Sequence, residues 1–111
     1  MNLTIGTHDV TLLPGLRTYA ETRVRRLDRH FDRILDAHLQ FEPETGRGPG
    51  VPTTVSLRVH VSGGMFKAEV TASMVRESID RVIDKMDEQL RRRKERLNEH
   101  GGPRAARVKR A

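Results

Sequence analysis

The sequence predicts an α+β domain with the element order β-α-β-β-β-α, in which two helices cover one face of a four-stranded sheet. Four short segments alternate between apolar and polar residues with a period of two, and two longer segments repeat apolar residues every three or four positions. Glycine, proline and serine separate these segments. At 111 residues the chain is long enough for one compact domain. This arrangement predicts a single core between the sheet and the helices, with the other face of the sheet exposed to solvent.

The first strand and the first helix occupy the start of the chain. NLTIGT, residues 2–7, alternates with Leu3 and Ile5 on one side. A helical stripe follows at steps of three and four, and Pro14 is acceptable in its first turn. The residues of this stripe are Leu13, Leu16, Ala20, Val24, Leu27 and Phe31.

The middle of the chain predicts three more strands. From Ile34 the period changes to two, with Ala37, Leu39 and Phe41 on one side. PETGRGPGVP, residues 43–52, is rich in proline and glycine and predicts a loop. TTVSLRVHV and the alternating residues after Ser62-Gly63-Gly64 then predict a hairpin.

The last helix is predicted from about Met74 to about His100, where Gly101-Gly102-Pro103 ends it. Its apolar face comprises Val75, Ile79, Val82, Ile83, Met86, Leu90 and Leu97. RAARVKRA then predicts a disordered basic tail. The expected organisation is therefore one domain over residues 1–100 and a tail over residues 101–111.

Composition excludes several classes of protein. The chain contains no cysteine, which excludes disulfides, thiolate metal sites and cysteine nucleophiles. It has no apolar run of membrane-spanning length and no pattern of a signal peptide, so we expect a cytoplasmic protein. No histidine spacing resembles a metal site, and we expect no metal, cofactor or small-molecule substrate.

Positive charge is concentrated in the last third of the chain. Residues 1–72 carry nine Lys/Arg against eight Asp/Glu, whereas residues 73–111 carry twelve against seven. On a helical wheel of the last helix, Arg81, Lys85, Gln89, Arg92 and Arg96 form one stripe. Such a basic region attracts polyanions, of which nucleic acid and anionic membranes are the usual two.

The basic stripe has a plain interpretation and a functional one. Asp87 and Arg91, like Glu88 and Arg92, have the spacing of ion pairs on a solvated helix face. However, RRRKER carries five positive charges and one negative, and Arg93 falls on the apolar side of the wheel. We therefore expect the helix to extend past its sheet and to present its end to a partner.

The first helix has a basic stripe of its own, which comprises Arg23, Arg26, His30 and Arg33. Together the two stripes indicate a two-helix surface for the phosphates of a folded RNA. Aromatic residues make up only 4% of the chain, so contacts to phosphates and RNA shape are expected to dominate over base stacking. The predicted RNA-contacting residues are Arg23, Arg26, His30, Arg33, Arg81, Lys85, Gln89, Arg91, Arg92, Arg93, Lys94 and Arg96.

Several motifs, in their order along the chain, resemble those of the ribosome hibernation-promoting factors. This family is also described as ribosome-associated inhibitors or sigma-modulation proteins. The resemblance covers residues 1 to about 100. The matching pieces are LR at 16–17, the basic run from Arg23 to Leu27, FDRI at 31–34, HVSGG at 60–64 and IDRVIDKMDEQLRRRKERL at 79–97.

The resemblance implies a domain similar to double-stranded-RNA-binding domains that binds the small ribosomal subunit in the mRNA and tRNA channel. It implies inhibition of translation in stress or stationary phase, with ribosomal RNA held by basic residues of both helices. By position these are Arg23, Arg26, Arg33, Lys85, Arg92, Lys94 and Arg96. Met74 and Arg76 stand where the family has an acidic residue and Tyr, and the length matches the short family members.

Other functions are weighed against this one. A general structured-RNA-binding domain without ribosome specificity has the same charge pattern. An exposed third strand or the RAARVKRA tail could dock a protein partner or a second copy. A ribonuclease would need its histidines as acid and base, and a membrane-surface role would need a bulky apolar face that the basic helix lacks. We expect a binding protein rather than an enzyme, monomeric away from the ribosome.

Overall fold

The predicted fold class is confirmed by a computed structural model, which describes residues 1–8, 10–31, 34–43 and 52–101. The side chains of residues 30 and 97–101 lie outside this description. The elements are β1 (Asn2–Thr7), α1 (Pro14–His30), β2 (Ile34–Pro43), β3 (Thr53–Val61), β4 (Gly64–Ala72) and α2 (Val75–Gly101). Most of the predicted loop and nearly all of the predicted tail lie outside the described residues.

The four strands form one sheet in the order β1-β2-β3-β4. β1 pairs with β2 in parallel through the α1 crossover, whereas the other two pairs are antiparallel. β3 is therefore paired on both sides, and the expectation of an exposed third strand is wrong. The edges of the sheet are β1 and β4, because only consecutive strands are neighbours.

The start of α1 differs from its predicted stripe. Leu13 has an extended backbone at the N-cap, Pro14 opens the helix, and the Leu13 side chain is 62% exposed. Leu13 was predicted to belong to the buried stripe, and that prediction is wrong because the helix begins one residue later. Ala20, Val24, Leu27 and Phe31 are buried as expected.

The core lies between the helices and one sheet face. Alternate residues of β2 and β3 point into it, and Phe41, Leu39 and Leu57 are its largest strand residues with no exposed surface. A register shift between Ile34 and Asp36 interrupts the alternation at the start of β2. The intervening Leu35 is 56% exposed because the irregularity takes it out of the core.

α2 is anchored to the sheet along its first five turns. Ile79, Val82 and Met86 have no exposed surface. The buried Ser78 hydroxyl lies 3.3 Å from the Thr53 carbonyl of β3 and 3.2 Å from the Met74 carbonyl of its own helix. Within the described part of the chain, neither helix is long and apolar enough to span a lipid bilayer.

The turn between β3 and β4 requires glycine. Gly63 has a φ of 84°, a conformation that residues with a Cβ rarely adopt.

We expect Gly63→Ala to lower the free energy of unfolding by about 1 kcal/mol. The matched control is Gly15→Ala in α1, where a Cβ would meet no atom within 4 Å. It should raise stability by about 0.4–1 kcal/mol. Urea denaturation of both variants measures the two changes, and equal stability of the Gly63 variant and wild type would contradict this account of the turn.

Candidate nucleic-acid interface

A polar cluster joins α1 to α2. The Tyr19 hydroxyl donates to Asp80, and Arg23 Nε lies 3.4 Å from the same carboxylate. Arg23 also reaches Asp84 at 3.9 Å, and the Arg76 guanidinium lies 4.4 Å from the centre of the Tyr19 ring. Arg23, a predicted RNA contact, is thus only 24% exposed and is already paired. Its first role in this structure is to hold the two helices together.

The two helices run side by side in the same direction. Tyr19 and Arg23 contact the first turns of α2, and the groove further along is lined by Arg23, Arg26, Leu27, Ile83, Asp84 and Asp87. The C-terminal halves of both helices therefore lie at the same end of the domain. The hairpin turn after β3 lies at that end too, because Val61 pairs with Ile34 just after α1.

The basic stripe of α2 lies on the other flank of that helix, next to β4. Lys85 Nζ donates to the Glu69 carbonyl at 3.3 Å, and Gln89 Nε2 donates to the Lys67 carbonyl at 3.0 Å. The α1 stripe instead faces Asp80 and Asp84. The sequence predicts a basic surface made by both helices, and in the structure the two stripes lie on opposite flanks of α2.

Several predicted RNA contacts are occupied within the protein. Arg81 pairs with Glu77 at 2.8 Å, Arg91 pairs with Asp87, and Arg92 pairs with Glu88. All three pairs have the i, i+4 spacing of a solvated helix. The plain interpretation of the charge pattern therefore holds for these three arginines. An exposed pair of this kind contributes about 0–1 kcal/mol, so phosphate could still compete for the arginine.

Arg93 contacts the β3–β4 hairpin. Its Nη2 donates to the Ser62 carbonyl at 2.7 Å, and its guanidinium lies 5.8 Å from the centre of the Phe66 ring. Arg93 falls on the apolar side of the wheel because α2 still packs on the sheet there. The expectation that α2 has left the sheet at Arg93 is wrong, although the helix continues to Gly101.

The remaining exposed cations in the C-terminal halves of the two helices have no ion pair within the described part of the chain. Lys94 and Arg96 are two of the predicted contacts, and Arg26 is a third. Arg25 and Arg29 were not among the predicted contacts, because they face away from the core and lie outside the stripe that flanks it. We call this set the helix-layer cations: Arg25, Arg26, Arg29, Lys94 and Arg96. The predicted contacts at the His30 side chain and at Arg33 lie outside the described residues.

All four aromatic side chains of the protein are engaged inside the domain. Phe41 has no exposed surface and Phe31 is 9% exposed. Phe66 lies beneath Arg93, and Tyr19 lies beneath Arg76. The chain has three Phe, one Tyr and no Trp, so no aromatic ring remains free to stack on a base. The surface can contact phosphates and fit the shape of a folded RNA, but it offers no aromatic side chain on which a base could stack.

The open sheet face carries two histidines. His60 Nδ1 lies 2.8 Å from Asp36 Oδ1, and His38 Nε2 lies 3.3 Å from Gln40 Oε1. Among the described residues, no group of three or more potential ligands is close enough to hold a metal ion. Both histidines therefore have polar partners on an open surface.

The family model described as Sigma 54 modulation protein / S30EA ribosomal protein matches residues 3–98. The chain belongs to this family. A ribosome hibernation promoting factor from Azotobacter vinelandii is 31% identical over 96 residues, covering 86% of this chain and 85% of that protein. The factor of the same name from Escherichia coli K12 is 29% identical over 100 residues, covering 90% of this chain and all of that protein. The recognition made from the motifs is confirmed.

Two solved structures have the same fold as this chain. A ribosomal subunit interface protein from Coxiella burnetii has a TM-score of 0.75 at 21% identity and covers 85% of this chain and 98% of its own. The N-terminal domain of Protein Y from Thermus thermophilus has a TM-score of 0.70 at 24% identity, with coverage of 83% and 98%. The two departures from the family motif now have positions in the fold: Met74 is 66% exposed just before α2, and Arg76 packs on Tyr19.

Proposed function

We propose that this protein is a ribosome hibernation factor that binds the small ribosomal subunit and inhibits translation under stress or in stationary phase. Membership of the S30EA family over residues 3–98 supports a ribosomal partner. The structural observation that carries the proposal is the set of helix-layer cations. These side chains are exposed and are without ion pairs in the described residues, so they are available to ribosomal RNA.

The mechanism is occupancy of space rather than chemistry. Arg26 and Arg29 lie near the end of α1, and Lys94 and Arg96 lie on the part of α2 that continues past the hairpin turn. Cations at one end of a domain bring that end against phosphates. Since no aromatic ring is free to stack on a base, the position of the domain on the RNA depends on RNA shape. A domain held in the mRNA and tRNA channel of the small subunit excludes both ligands.

This mechanism makes binding competitive with the ligands of translation. Small subunits filled beforehand with a short mRNA and tRNA should take up the protein more weakly, and added protein should displace both ligands. Uninhibited translation in a reconstituted system, at protein concentrations that saturate the ribosomes, would overturn the proposed inhibition. Equal uptake by empty and filled subunits would overturn the proposed position.

We propose that the protein binds without catalysis. The His60–Asp36 pair is the arrangement in the described residues that most resembles an acid–base dyad, and it lies on the open sheet face. The helix-layer cations lie on the opposite side of the sheet. Ribosomal RNA incubated with the protein at several pH values should stay intact. Cleavage that disappears in His60→Ala would overturn this proposal.

We propose that the protein is monomeric away from the ribosome. Lys85 and Gln89 bond to carbonyls of β4, which leaves that edge poorly suited to pairing with another strand. The opposite edge, β1, is only six residues long. Sedimentation across concentration should show one species of 12.7 kDa. A tight dimer in the absence of RNA would favour the self-association module over the monomer.

A further inference from the structure

A second group of cations lies on the open face of the sheet. The register aligns Thr4, His38, Arg58 and Lys67 in one row across all four strands. Successive strands are about 4.8 Å apart, so the row presents adjacent side chains. Arg58 and Lys67 are exposed, and each is three residues from the end of its strand at the hairpin turn.

Arg58 and Lys67 are opposite each other in the β3–β4 register, and their side chains have no hydrogen bond or ion pair within the described residues. Like charges directly opposite across a strand pair destabilise a sheet. Glu69 is the nearest acidic residue along β4, but its carboxylate accepts a hydrogen bond from the Ser56 hydroxyl at 3.0 Å. That carboxylate forms no ion pair with either cation in the described residues, and its single charge cannot balance both cations, so a bound anion would further relieve their repulsion.

Positive charge extends from this row past the β4 edge of the sheet to Lys85 of α2. Lys85 lies at that edge, with its ammonium 3.3 Å from the Glu69 carbonyl. Gln89 holds the Lys67 carbonyl on the same edge. A peptide strand therefore meets an edge at which two carbonyls, those of Lys67 and Glu69, are already bonded, whereas a phosphate backbone needs only the cations. The surface favours nucleic acid over an added strand of protein.

We infer that Arg58 and Lys67 form a second RNA-binding site, which holds the phosphate backbone of ribosomal RNA on the sheet face opposite the helix-layer cations. The inference rests on the proposed function, because the RNA is that of the bound ribosome. Two opposed cationic faces place the domain between two RNA segments. Binding on both faces would hold the domain more firmly than contact through the helices alone.

The first test is the salt dependence of ribosome binding by Arg58→Gln, Lys67→Gln and the double variant. Each lost phosphate contact should reduce the slope of log affinity against log salt by about 1. The double variant should bind about 10-fold to 100-fold more weakly. The charge-matched control for each single variant is Arg17→Gln, an exposed cation at the start of α1. It should leave the slope within about 0.3 of the wild-type value.

The outcomes separate the two proposals. A double variant with the wild-type slope and affinity would overturn the second site alone and leave Arg58 and Lys67 as solubility features. An equal effect of Arg17→Gln would also overturn it, because net charge would then explain the change. Wild-type protein that fails to bind ribosomes at low salt would instead overturn the proposed function.

A second test identifies the partner on the sheet face. The chain has no cysteine, so Met65→Cys creates a single attachment point for an iron chelate that cleaves nearby RNA. Met65 is 55% exposed and its neighbour across the strands is His60. Discrete cleavage of ribosomal RNA from position 65, weakened by Arg58→Gln/Lys67→Gln, is expected. Ribosome binding without such cleavage, with cleavage retained from Thr22→Cys on exposed α1, would point to an acidic protein and overturn the inference.

Discussion

Replacement of Arg26, Lys94 and Arg96 by glutamine is expected to weaken binding to the small ribosomal subunit by about 1,000-fold. Each is exposed and has no ion pair in the described residues, so each can give a charge-assisted bond to phosphate. Loss of about 1.4 kcal/mol per contact is a factor of about ten in affinity. Co-sedimentation across protein concentration measures the change, and the slope against log salt should fall by about 2–3.

The control removes charges that are already paired. Arg91→Gln with Asp87→Asn, and Arg92→Gln with Glu88→Gln, delete two arginines together with their carboxylate partners. The net charge is unchanged, and we expect affinity within about threefold of wild type. A larger loss in this control than in the triple variant would contradict the distinction between free and paired cations. That result would instead assign RNA binding to the basic stripe of α2.

Replacement of Leu57 by alanine is expected to lower the free energy of unfolding by about 2–5 kcal/mol. Leu57 has no exposed surface and lies in β3, which is paired on both sides. The truncated side chain leaves a cavity between the sheet and the helices that the neighbouring strands cannot fill without losing their own pairing. Because domains of this size are stable by only about 5–15 kcal/mol, this loss removes a large share of the stability and should lower the urea midpoint markedly.

Leu35→Ala is the matched control, since it makes the same substitution in a neighbouring strand. Leu35 is 56% exposed beside the β2 irregularity, so the expected loss is about 0.5 kcal/mol or less. Urea denaturation followed by far-ultraviolet circular dichroism gives both values at a common slope. A Leu35 variant that is destabilised as much as the Leu57 variant would contradict the assigned core.

The fold was predictable because each element carries its own pattern. The β3 residues from Val55 to Val61 alternate cleanly, and the buried face of α2 repeats at helical spacing. Leu13 was wrongly placed in the buried stripe, and the exposure of Leu35 was not predicted, both for local reasons. Periodicity does not show that a helix starts one residue later or that a strand contains an irregularity. The place of β3 in the sheet depends on strand order, which the pattern of one strand does not contain.

The candidate site was less predictable because a charge in the sequence does not reveal its partner. The i, i+4 pairs of Arg91 and Arg92 could be anticipated from spacing along one helix. The bonds of Lys85 and Arg93 to the sheet join residues 16 and 31 positions apart and depend on how α2 lies across β4. The sequence identifies Arg58 and Lys67 as polar strand residues. Only the register of β3 and β4 shows that they lie opposite each other.

The central claim is that this protein binds the small ribosomal subunit through charge. Its most direct test is sedimentation of wild-type protein with separated small and large subunits over a series of monovalent salt concentrations. We expect the protein to sediment with small subunits at low salt and to dissociate steeply as salt rises. Failure to associate with small subunits at low salt, or association with large subunits alone, would contradict the claim.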